Sequence, residues 1–156
     1  MIYVGFSTSN HFVSKAIEFF QQDNVSHAFL AFDMFGVRWV IEAGLPGVVL
    51  VPMSRWKGKI VDLVPIHCSH TDDEVIRVAM EELGTPYDFG SLFGFIFTMV
   101  GKWFKLKVRN PLTSSGAMVC SELVAKVLQR VDYPGASALE PEQTTPSDLQ
   151  MFLLNK

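Results

Sequence analysis

The chain has two thiols, Cys68 and Cys120, in very different settings. Cys120 lies in Ser115-Gly116-Ala117-Met118-Val119-Cys120-Ser121-Glu122-Leu123-Val124, where a small-residue stretch meets a strongly helical run. A thiol in the first turn of a helix faces unpaired N–H groups and the positive end of the dipole, and both favour the thiolate. Cys120 is therefore the candidate nucleophile. The competing reading is plain burial: Cys120, Val124, Val127, Leu128 and Val131 share one helical face, and free cysteine is among the most buried residue types. Cys68 sits in His67-Cys68-Ser69-His70. Three potential zinc ligands within four consecutive residues are poorly arranged to converge, and no second cluster accompanies them, so no metal site is expected.

A thiolate needs a base, and the best one lies far upstream. Val25-Ser26-His27-Ala28-Phe29-Leu30-Ala31-Phe32 and Val37-Arg38-Trp39-Val40-Ile41-Glu42 are rich in aromatic and β-branched residues and flank Asp33-Met34-Phe35-Gly36. This is a hairpin signal. A two-residue loop at Met34-Phe35 pairs Asp33 with Gly36, and a four-residue loop pairs Phe32 with Val37. Both registers place His27 opposite Glu42. Opposed residues have Cβ atoms about 4.5–5.5 Å apart, so the glutamate would hold the imidazole in one tautomer and stabilise its cation. That is the base-and-orienter half of a catalytic triad. A one-residue slip would send the two to opposite faces.

The elements that must position these residues read as follows. Ser9-Asn10 caps an early helix from about His11 to Gln21, with Phe12, Ala16, Ile17 and Phe20 at helical spacing. Gly47-Val48-Val49-Leu50-Val51-Pro52 and Lys59-Ile60-Val61-Asp62-Leu63-Val64-Pro65 are two further strands, broken by a turn at Ser54-Arg55-Trp56-Lys57-Gly58. With the hairpin they make a sheet of at least four strands. Thr71-Asp72-Asp73-Glu74 is a capping box that opens a helix on Val75, Ala79 and Leu83. Glu82-Leu83-Gly84-Thr85-Pro86-Tyr87-Asp88-Phe89-Gly90 follows and turns sharply at Gly84 and Pro86.

The ordered set Val25-Ser26-His27, Glu42-Ala43-Gly44 with Gly47-Val48, Pro86-Tyr87-Asp88, Cys120-Ser121-Glu122-Leu123-Val124 and Thr145-Pro146-Ser147-Asp148-Leu149 spans most of the chain. It resembles the circularly permuted NlpC-like cysteine hydrolases of papain fold, the YiiX-like group, which are distant relatives of the lecithin:retinol acyltransferases. The resemblance implies an α+β, papain-like fold in which a small antiparallel sheet packs against helices and the nucleophile stands at a helix N-terminus. It implies Cys120 as nucleophile, His27 as base, Glu42 as the polar third member and Tyr87 as a hydroxyl near the oxyanion, with amide bonds of cell-wall-like peptides as substrate. The chain departs from unpermuted relatives at Val119, where an Asp often precedes the nucleophile, and at Glu122, where a Gly often follows the Cys-Ser pair.

Composition bounds the rest. A chain of 156 residues with 49% hydrophobic and 19% charged residues is one globular domain, residues 1–156. A net charge of −3 gives no basic footprint, so nucleic acid is not an expected partner. Two cysteines make no disulfide framework, and a reducing compartment fits them best. Met1-Ile2-Tyr3-Val4-Gly5-Phe6-Ser7 lacks the basic and apolar regions of a signal peptide, which leads to the expectation of a cytoplasmic or virus-borne protein. The phenylalanine-rich segment 89–104 is too short and too glycine-rich for a membrane span. It is read as buried core, as one wall of an acyl or peptide groove in which Phe89, Phe93 and Phe97 bind substrate, or, least favoured, as a membrane-surface element. The expectation is a cofactor-free hydrolase working through a thioacyl enzyme. The rivals are a lipid acyltransferase, thioesterase or lipid hydrolase using the same route, and a binding module that keeps the fold without activity.

Overall fold

The computed structural model describes residues 1–8, 25–44, 46–56, 59–86 and 119–155. Among them the architecture is α+β. Strands β1 (Ile2–Ser7), β2 (His27–Met34), β3 (Val37–Ala43), β4 (Val48–Pro52) and β5 (Ile60–Ile66) form one antiparallel sheet in the order β4-β3-β2-β1-β5. Three α-helices follow: α1 (Asp72–Met80), α2 (Cys120–Arg130) and α3 (Pro146–Leu154). The prolines within strands, Pro52 and Pro65, fall on the two edge strands, where a missing ladder donor is tolerated.

Strand alternation divides the sheet into two faces. Phe6, Leu30, Phe32 and Ile41 pack with Leu123, Val124, Val127 and Leu128 of α2, all fully buried, in a core that also takes Val75 and Ala79 of α1 and Leu149 of α3. Burying each such large side chain contributes about 1.5–3 kcal/mol. The opposite face carries Phe29, Ala31, Val40 and Val51. It is covered by Met53 and Trp56 from the 3-10 turn Met53–Trp56, which lies on the connection between the edge strands β4 and β5.

The helix starts obey local chemistry. Thr71 caps α1: its hydroxyl accepts from the Glu74 N–H at 3.3 Å while the Glu74 carboxylate accepts from the Thr71 N–H at 2.8 Å. Thr145 and Asp148 repeat the arrangement at α3, at 2.9 and 3.1 Å. The Thr-Pro-Ser-Asp run is thus a helix start. Ser121 ties it to α2 by donating to the Thr144 carbonyl at 2.6 Å.

Two expectations change, and one strand is added. The first seven residues are a strand, and β1 lies between β2 and β5 in the sheet. Its Gly5 breaks the β-propensity of the run, yet a Cβ there would come within 2.1 Å of the Phe29 ring, so the glycine makes room for the aromatic on the next strand. The hairpin turn is Phe35-Gly36, with Met34 facing Val37 and Asp33 facing Arg38, a register two residues away from the one expected. Phe35 and Gly36 have φ of 54° and 73°, the twist that suits a two-residue hairpin loop. Finally, α1 ends at Met80, and Leu83 sits beyond it in the turn, 38% exposed. The early helix at 11–21 and the segment 89–104 lie outside the described residues.

Candidate active site

The antiparallel order brings the end of β1, the start of β2, the end of β3 and the start of β4 to one end of the sheet. His27 opens β2 and pairs with Ser7 of β1. Glu42 lies near the end of β3 and pairs with Val49 of β4. Because the register differs from the expected one by two residues and not one, parity holds, and His27 and Glu42 remain on the same face as diagonal neighbours. Their side chains meet: His27 Nε2 and Glu42 Oε2 are 2.9 Å apart, with 13% and 7% of the side chains exposed. An ionised carboxylate only accepts, so the proton of this bond sits on Nε2 and Nδ1 is left for another partner.

The ring also meets Cys120. It is the first residue of α2, 8% exposed, and its sulfur shares a hydrogen bond with the His27 ring. Helix α2 packs on the Leu30 and Phe32 face, but His27 stands at the rim of the sheet, where its ring reaches the start of the helix. The N–H groups of Ala28 and Ser121 also point to the sulfur. The Glu122 carboxylate takes the Val119 N–H at 3.4 Å and pairs with Lys126 at 2.7 Å, so the acid at the helix start is itself engaged.

These contacts set the charges. Burial alone would pull the His27 imidazole down, but the Cys120 sulfur, by charge and hydrogen bond, and then the Glu42 carboxylate outweigh it and raise the group to about 9. Burial pushes the Cys120 thiol up; the His27 cation and its hydrogen bond, with the Ala28 and Ser121 N–H groups, more than offset this and bring it below the ordinary thiol range. Both shifts run in the direction of an imidazolium–thiolate pair. Cys68, by contrast, donates to the His70 carbonyl at 3.7 Å, and His70 Nδ1 contacts the Val131 carbonyl at 3.0 Å.

Trp56 is the neighbour that sequence reasoning missed. Its indole stacks on the His27 ring, centroids 4.9 Å apart and planes 17° apart. Assigned to a turn, it looked like connector; the signal was a large apolar side chain, with Met53 three residues before it, in a stretch otherwise polar. A second clamp lies at the start of β4. Val48 N–H donates to the Thr85 carbonyl at 2.8 Å, Gly84 N–H to the Val48 carbonyl at 2.9 Å, and Gly47 bridges Pro86. A Cβ on Gly47 would stand 2.4 Å from the Thr85 oxygen, which explains the glycine. The chain is thereby pinned through Pro86 at the same end of the sheet as His27 and Glu42. Tyr87, Phe89, Phe93 and Phe97 lie outside the described residues.

The fold and site define an α+β protein with a cysteine at a helix start facing a histidine–glutamate pair on an antiparallel sheet. A solved structure with a similar fold is the metalloprotein yiiX of Escherichia coli O157:H7, with a TM-score of 0.60 and 25% sequence identity over 83% of this chain. The chain spans 64% of the length of that protein. No family model matches the chain, and none of the curated proteins is significantly similar to it. Among the described residues no helix is long and apolar enough to cross a membrane.

Proposed function

We propose that the chain is a cysteine hydrolase of the permuted NlpC-like, papain-fold type, with Cys120 as nucleophile, His27 as acid and base, and Glu42 as orienter. What carries the reading is that the Cys120 sulfur and the Glu42 carboxylate both meet one imidazole, the carboxylate at Nε2. The likeness to yiiX supports the fold it requires. The Cys120 thiolate attacks a carbonyl carbon, forming a C–S bond as the carbonyl electron pair moves to oxygen. The Cys120 N–H, free in the first helical turn, receives the oxyanion; by resemblance, the Tyr87 hydroxyl is a second donor. Collapse breaks the bond to the leaving group, which takes the Nδ1 proton of His27 and leaves a thioester. Neutral His27 then draws a proton from water as the water attacks, and the acid departs with regeneration of the thiolate. The solved neighbour yiiX is called a metalloprotein; among the described residues here no group of three His, Cys, Asp or Glu side chains is placed to hold an ion.

The substrate class proposed is the amide bond of cell-wall-like peptides. Matched amide, ester and thioester probes carrying the same acyl group test it. Turnover of the amide, lost in Cys120→Ala and retained in Cys68→Ala, is expected, with iodoacetamide labelling Cys120 first at neutral pH. Faster labelling of Cys68, or turnover that survives Cys120→Ala, overturns the assignment. Turnover of the ester and thioester alone moves the function to lipid-type acyl chemistry at the same thiol.

A further inference from the structure

We propose that Trp56 is the positioning residue for the His27 imidazole, a role that rests on the Cys120–His27–Glu42 reading above. One hydrogen bond fixes a point. With Nε2 held by Glu42 at 2.9 Å, the ring is still free to swing about that contact and away from the sulfur. A flat surface against the ring removes this freedom. The Trp56 indole supplies it, at 4.9 Å and 17°. The same indole lies on Phe29, at 5.7 Å and 19°, and Phe29 in turn rests on Gly5, where a Cβ would stand 2.1 Å from a ring atom. The stack is therefore footed on the backbone of β1. The turn that carries it is tied down as well: Lys59 N–H donates to the Trp56 carbonyl at 3.0 Å, and Thr8 N–H to the Lys59 carbonyl at 3.0 Å.

One observation and one property of the indole set this apart from ordinary packing. The Trp56 indole N–H is buried and has no hydrogen-bond partner, so a plain aliphatic or phenyl side chain would fill the space without that penalty. What an indole adds is the most electron-rich ring face among the side chains, which favours a cation lying on it. The groups facing His27 are Glu42 from β3, Cys120 from α2 and Ser7 from β1; Lys59 is the charge beside the indole, 6.0 Å from its centroid. Glu42 and the indole both favour the imidazolium, and Ser7 is uncharged.

The test compares Trp56→Leu with Trp56→Phe. In Trp56→Leu, kcat should fall about ten-fold with KM within about two-fold, because the alignment of the proton donor is lost and not substrate binding. The alkaline limb of the pH profile should move down by about half a unit, since the cation has lost its ring face. Trp56→Phe should recover most of both. The pH dependence of Cys120 alkylation by iodoacetamide is read in parallel, because it needs no turnover. A shift in the alkylation profile of Trp56→Leu with no probe hydrolysed by the wild type would sustain the positioning role and sink the hydrolase reading. Wild-type turnover with an unchanged profile and kcat in Trp56→Leu would sink the positioning role alone. Should Trp56→Leu fail to fold, emission from Trp56, isolated by Trp39→Phe and Trp103→Phe, decides: it should rise as His27 loses its proton and stay flat in His27→Gln. Emission independent of pH in the isolated-Trp56 protein overturns the proposal.

Discussion

At the scale of single residues, Glu42 is the group whose removal says most. Its carboxylate and the Cys120 sulfur both hold the proton on His27, against a burial that would expel it. In Glu42→Gln the ring keeps a hydrogen-bond acceptor and loses a negative charge. The imidazolium, raised to about 9 in the wild type, then gives up its proton at lower pH, so on the proposed mechanism the alkaline limb should move down by about 1–2 units. The acid limb should move up, because a less stable cation supports the thiolate less. A bell narrowed from both sides in a profile of kcat/KM is the expected result; movement of one limb alone would mean that Glu42 acts on one partner only. His27→Ala should remove the early thiolate altogether, so that Cys120 alkylation follows an ordinary thiol pKa of about 8.5 or above.

The elements carry their own predictions. Gly47→Ala forces a Cβ against the Thr85 carbonyl and should destabilise by about 1–3 kcal/mol, read as a fall in Tm of about 2–4 °C per kcal/mol. Phe35→Asn should do the opposite. Phe35 is 93% exposed and sits at φ 54°, where asparagine is at ease, so a gain of about 0.5–1 kcal/mol is expected with activity unchanged. The same residue explains why the hairpin register was misread: Phe-Gly is a poor sequence signal for a turn with two positive φ values, and Asp33 with Gly36 looked like the better bracket. The relation of His27 to Glu42 was nevertheless legible, because side-chain direction depends on parity and a shift of two preserves it. The capping box at Thr71 and the apolar face of α2 were legible for a similar reason, since both depend on spacing within a few residues. Strand β1 was not: its fitness for the sheet depends on Phe29 filling the space over Gly5, a contact absent from local pattern.

The whole molecule is held by the contact between the sheet and α2. Leu123→Ala, at a fully buried position between them, should cost about 2–5 kcal/mol, checked by denaturant unfolding in which far-UV dichroism and tryptophan emission change together. How the molecule comes together was the least readable level of all, because the crossover that brings Trp56 over His27 depends on strand order, which no segment reveals by itself. The sulfur of Cys120 draws on an N–H from Ala28 and a ring from His27, both on a strand made early in the chain, while its helix comes late. On the proposed reading, an unfinished or unfolded chain therefore carries an ordinary thiol, and the early thiolate arrives only when the last third of the polypeptide has docked. The protein is its own safety catch during synthesis: alkylation at mildly acidic pH should count native molecules and ignore the rest.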